Sequence, residues 1–117
     1  MAPTFRPEQR LLKADEFVAV LRRPQLNISR GPLRLRAIQN RMPGARLGLV
    51  VTKKGNPLAV RRNRLKRLMR ETFRKRAYKL PPTDIVVQIF APIEDARLRE
   101  EMDRVLKTVE EKFADAE

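Results

Sequence analysis

Twelve lysines and arginines fall between Lys53 and Lys79 against a single acid, Glu71, so this stretch holds +11 of the chain's net charge of +13. A run this basic folds stably only if apolar side chains recur along one side of it. Here Leu65, Leu68, Met69, Thr72 and Phe73 follow the spacing of one buried helical stripe. Asn56-Pro57 predicts the start, with Asn56 as N-cap and Pro57 giving up a donor the first turn does not use. Leu80-Pro81-Pro82 predicts the stop, because the residue before a proline leaves the α region and proline cannot continue the ladder. At the helical repeat, Arg62, Asn63, Lys66, Arg67, Arg70 and Arg74 fill a continuous arc beside the stripe.

A solvated helix face ordinarily mixes signs, because opposite charges a turn apart attract and like charges repel. The arc leaves its repulsion almost uncompensated, the pattern expected of a surface that neutralises phosphates. The remaining segments largely compensate each other, +7 before Lys53 against −5 after Lys79. The sequence pI of about 11.3 thus belongs to one element and points to nucleic acid rather than to an anionic membrane. No apolar run approaches the roughly 20 residues of a membrane span. The N-terminus lacks the apolar stretch of a signal peptide, and there is no Cys. A cytoplasmic protein of one domain, residues 1–117, is the expectation.

In chain order, residues 1–9 read as a flexible leader. Leu12 to Arg22 reads as a short helix with Phe17, Val18, Val20 and Leu21 on one side and Asp15-Glu16 at its positive end. Gln25 to Gly31 reads as a polar loop. Leu33 to Ile38 alternates apolar and basic, and Leu47 to Thr52 forms a second strand; a hairpin through the Asn40–Gly44 turn is the simplest pairing. Arg34 and Arg36 then share the face opposite Leu33 and Leu35, as a solvated surface or a second RNA contact. Asp84 to Phe90 is the central-strand candidate. Ala96 to Phe113 is an amphipathic helix with Leu98, Met102, Val105, Leu106, Val109 and Phe113 inward and acids outward, expected to pack behind the sheet as a solubilising face. The order α-β-β-α-β-α gives an α/β (α+β) two-layer sandwich on a small sheet.

The run Ala59-Val60-Arg61-Arg62-Asn63-Arg64-Leu65-Lys66-Arg67-Leu68-Met69-Arg70-Glu71, preceded by Lys53-Lys54, resembles the Arg-Asn-Arg signature of the bacterial ribonuclease P protein component. The resemblance extends over nearly the whole chain. It implies a left-handed βαβ crossover with the basic helix as the crossover, against the usual right-handed rule. It also implies a small subunit that partners ribonuclease P RNA and helps that RNA remove the 5′ leader of precursor tRNA, with no obligate protein partner. By position it implies RNA contacts at Arg61, Arg62, Asn63, Arg64, Lys66, Arg67, Arg70 and Arg74, and at the flanking Ser29, Arg30, Lys53 and Lys54. It implies a cleft for the single-stranded leader at Phe17, Leu21, Leu35 and Thr52. Where relatives often carry further aromatics this chain has Leu21 and Leu35, so weaker base stacking is expected. Phe17 reads equally as a core residue.

The residues themselves argue against chemistry by the protein. With no His and no Cys, imidazole and thiolate roles are gone. The acids before Asp84 are Glu8, Asp15, Glu16 and Glu71, which make no paired-carboxylate site. The resemblance implies the same, an endoribonuclease whose catalysis and Mg2+ requirement reside in the RNA, with no metal held by the protein. Three other readings stay open: a structural RNA-binding protein, a DNA-binding protein using a recognition helix, and a protein-only nuclease. The second lacks the short preceding helix and turn, and the third lacks a base or metal ligands.

Overall fold

Thr83–Ile89 is apolar on both faces, and a strand with that pattern belongs in the middle of a sheet. The computed structural model describes residues 12–114, and in it this strand, β4, is flanked on both sides. The elements are helix α1 (Ala14–Arg22), strands β1 (Leu26–Arg30), β2 (Leu33–Gln39) and β3 (Arg46–Val51), helix α2 (Ala59–Arg76) running into a 3-10 turn (Ala77–Lys79), then β4 and helix α3 (Asp95–Lys112). The sheet order is β1-β2-β4-β3, with β4 antiparallel to β2 and parallel to β3. The leader, residues 1–9, lies outside the described residues.

The expected alternation of helices and strands is present with one strand more. Leu26–Arg30 is an edge strand paired with β2, not a loop. Only Leu26 and Ile28 turn toward the core, with Asn27 between them and Ser29 after, so its period-2 signal is two residues deep. A short polar strand is also what a sheet edge tolerates. The hairpin expected between Leu33–Ile38 and Leu47–Thr52 does not form, because β4 lies between them. A strand buried on both faces needs a partner on each side, and α2 supplies the crossover that a parallel β3–β4 pair requires.

Alternation divides the sheet into two faces. Leu33, Leu35, Ala37, Leu47, Val51, Ile85, Val87 and Ile89 meet α2 and α3 in the main core, closed by Leu65, Met69, Phe73, Leu98, Met102 and Leu106. On the other face, α1 covers only part of the surface through a small cluster of Leu12, Val20 and Val86, with Phe17, Leu21 and Ile38 half-buried beside it. Val18, expected inward, is 48% exposed. At Gly48 the α1 layer comes close enough that a Cβ would collide with the tip of the Phe17 ring.

The start of α2 also differs from expectation. The helix begins at Ala59 with Leu58 as its N-cap and no side-chain cap. Asn56 is buried, and its Nδ2 donates to the Ala91 carbonyl at 3.3 Å, joining the approach of α2 to the exit of β4.

Candidate nucleic-acid interface

Helix α2 turns Leu65, Leu68, Met69 and Phe73 into the core, which forces its nine lysines and arginines onto the remaining surface. The structure sorts these cations into two groups. Arg61 and Arg64 share Asp95: Arg61 Nη1 donates to Oδ1 at 2.6 Å and Arg64 Nε to Oδ2 at 2.7 Å. Arg62 Nη1 donates to the carbonyls of Asn56 at 3.0 Å and Pro57 at 2.8 Å, tying down the loop before the helix. Arg76 reaches Asp103 at 2.9 Å and Glu110 at 3.3 Å. Lys66, Arg67, Arg70 and Arg74 make no ion pair among the described residues. Asn63, Arg64, Arg67, Arg70 and Arg74 line an open groove of about 720 Å3 along the helix, with Val60 and Glu71. Asn63 is exposed and lines the groove.

The second basic surface is the part of the sheet that α1 leaves uncovered. There Arg34 Nε donates to Ser29 Oγ at 3.4 Å, and its guanidinium stands 5.7 Å over the Phe90 ring. Arg36 Nη1 donates to Gln88 Oε1 at 3.4 Å. Phe90 is 45% exposed, a residue sequence reasoning did not select; the end of an apolar strand gave no sign that its last side chain emerges. The Thr52 N–H donates to the Ile89 carbonyl at 3.0 Å, and Thr52 Oγ1 accepts from the Gly55 N–H at 3.3 Å. The exposed Lys53 and Lys54 follow at that end of the sheet.

One expected contact is corrected, Leu35, and another, Arg30, is found paired with α3. Leu35 is fully buried in the main core and cannot line a cleft, because it shares a face with Leu33; the outward neighbours are Arg34 and Arg36. Arg30 turns away from Ser29 toward α3, where Nε donates to Glu101 at 2.8 Å. Phe17 and Leu21 are half-buried, forming one wall of the open face while packing on Val86.

The acids of α3 are therefore not simply a solubilising face. Hydrogen bonds from Arg64 and Arg61 hold the Asp95 carboxyl below its usual range, Arg30 does the same for Glu101, and Arg76 for Asp103. Glu16 is lowered first by the Lys13 backbone N–H and then by Arg46. A carboxylate with a depressed folded pKa adds stability above its unfolded value and loses it as pH falls through the folded value. The melting temperature is accordingly expected to hold from neutrality to roughly pH 5 and to fall steeply below about pH 4. A thermal melt unchanged down to about pH 3 would contradict these pairings. Among the described residues no three acidic side chains converge as a metal site. The surface can grip and neutralise phosphates.

A family model described as Ribonuclease P matches residues 5–110. The ribonuclease P protein component of Halorhodospira halophila is 41% identical over 87 residues, 74% of this chain and 71% of that protein. That of Pseudomonas aeruginosa is 46% identical over 83 residues, 71% of this chain and 62% of that protein. Among solved structures, the RNase P protein of Staphylococcus aureus superposes with a TM-score of 0.77 at 25% identity, covering 85% of this chain and 93% of that one. The RNase P protein from Thermotoga maritima gives 0.72 at 29% identity, covering 86% and 97%. With its basic crossover helix, its open sheet face and these matches, the chain belongs to the ribonuclease P protein component family.

Proposed function

We propose that this chain is the protein subunit of a ribonuclease P ribonucleoprotein in the cytoplasm, acting in removal of the 5′ leader from precursor tRNA. The outer face of α2 docks on the catalytic RNA, and the open sheet face beside α1 receives the single-stranded leader. The bond is broken by the RNA with its own Mg2+, and no second protein is needed. The observation that carries this reading is the division of the α2 arginines. Some are neutralised by α3, while Arg67, Arg70 and Arg74 line a groove and make no ion pair among the described residues, Glu71 beside them included. Such a surface lowers phosphate repulsion within the catalytic RNA and between it and its substrate, so it should lower the Mg2+ needed and raise substrate affinity, both steeply salt-dependent. On the open face, Phe90 beside Arg34 offers an aromatic surface and a charge to an unpaired strand.

The test is cleavage of a precursor tRNA by a bacterial ribonuclease P RNA at low Mg2+, with the protein, without it, and with protein alone. Strong stimulation and no cleavage by protein alone is the expected result. Tight binding without stimulation would favour a structural RNA-binding role, and cleavage by protein alone would overturn the division of labour.

A further inference from the structure

Of the groove cations, Arg64 differs from its neighbours in being anchored by an acid. Asp95, at the first position of α3, takes the Nε–H of Arg64 at 2.7 Å and an Nη2–H at 2.6 Å on the same oxygen. Its other oxygen takes Arg61, whose Nη2 also donates to the Ile93 carbonyl at 2.6 Å. Arg61 is thereby tied through two nitrogens to the start of α3 and does not line the groove, whereas the Arg64 side chain is 55% exposed and does. A guanidinium held along its Nε–Nη2 edge keeps the adjoining Nη1–Nη2 edge, a second fork that can donate two parallel hydrogen bonds to a phosphate. Arg67, Arg70 and Arg74 have no such support among the described residues.

We infer that Asp95 is a positioning residue for RNA recognition, aiming Arg64 into the α2 groove as a fixed phosphate receptor. It thereby favours a folded RNA that offers a phosphate at that place over RNA at large. The inference rests on the reading of α2 as the face docked on the catalytic RNA. It makes a prediction opposite in sign to simple electrostatics. Replacing Asp95 with Asn removes an acid from a surface facing a polyanion, which by charge alone tightens binding to every RNA. If Asp95 acts by aiming Arg64, the same change weakens binding to ribonuclease P RNA while leaving binding to an unstructured RNA equal or tighter.

The experiment measures affinity for ribonuclease P RNA and for poly(U) in wild type, Asp95→Asn, Arg64→Lys and the double variant. The ratio of the two affinities is expected to fall about tenfold in Asp95→Asn and similarly in Arg64→Lys, where the charge stays and the fork is lost. The double variant should lose no more than the worse single. Equal gains on both RNAs in Asp95→Asn, or fully additive losses in the double, would overturn the inference. Should Asp95→Asn melt below the assay temperature, Asp95→Glu keeps the charge and the tie between helices but shifts the fork; it should melt near wild type with a reduced ratio, and an undiminished ratio overturns the proposal. A wild-type protein with no preference for ribonuclease P RNA would instead bring down the docking assignment, and this inference with it. A preference that survives Asp95→Asn brings down this inference alone.

Discussion

Changing Arg67, Arg70 and Arg74 together to Ala is expected to weaken binding to ribonuclease P RNA by about 100-fold and to reduce the slope of log affinity against log salt by roughly two to three. These side chains line the groove, lie off the buried stripe and make no ion pair among the described residues, so the folded state spends nothing on them. Their removal relieves repulsion between like charges a turn apart, and the melting temperature should stay level or rise. Arg76 is the matched control. It carries the same charge on the same helix but is held by Asp103 and Glu110. Arg76→Ala should lower the melting temperature and leave the salt slope nearly unchanged. Fluorescence anisotropy over a series of KCl concentrations reads both variants. An undiminished slope in the triple variant, or a collapse of its fold, would sink the assignment of this face.

The distinction between free and held arginines was not legible in the sequence. Local periodicity finds the arc, because a helix face is fixed by residues three and four apart. It cannot find Asp95, which lies 34 residues from Arg61 and 31 from Arg64 and reaches them only once α3 packs against α2. Arg62 looks like a free member of the arc until the loop carbonyls of Asn56 and Pro57 are seen to occupy it. Asn56 was drawn to the N-cap by its residue type, but the long-range tie to Ala91 took it instead. Elements written in one strong pattern were readable: the stripe of α2, the apolar run of β4 and the inward face of α3. Strand β1 was not, with two apolar residues to announce it, and neither was the neighbour of β2, which depends on where β4 inserts. Leu35 is a different case. Its alternation with Arg34 and Arg36 already assigned it to the core, and matching by family position overrode that signal.

Arg46 is where the architecture of the open face is most exposed to a single change. Its Nε and Nη2 each donate to Asp84 at 2.8 Å, and its Nη1 lies 2.5 Å from Glu16. The Arg46 and Asp84 side chains are 12% and 7% exposed. One guanidinium thus neutralises a nearly buried carboxylate on the central strand and ties α1 to the sheet. Besides this pair, α1 rests on the small cluster of Leu12, Val20 and Val86, with Phe17, Leu21 and Ile38 beside it, and on the approach of Phe17 to Gly48. Arg46→Met leaves Asp84 with Asn40 Nδ2, at 2.7 Å, as its remaining side-chain donor. Stranding a buried charge costs about 3–5 kcal/mol, a large share of the roughly 5–15 kcal/mol that holds a small domain together. A drop in melting temperature of at least about 10 °C follows. Asp84→Asn in the same chain should recover much of it, because the loss comes from an unpaired charge and not from missing packing. Additive losses in the double variant would contradict that account. Because Glu16 is released as well, Arg46→Met should impair binding of a leader-bearing precursor more than docking on ribonuclease P RNA. Equal losses on both would mean that α1 is not the wall against which the leader lies.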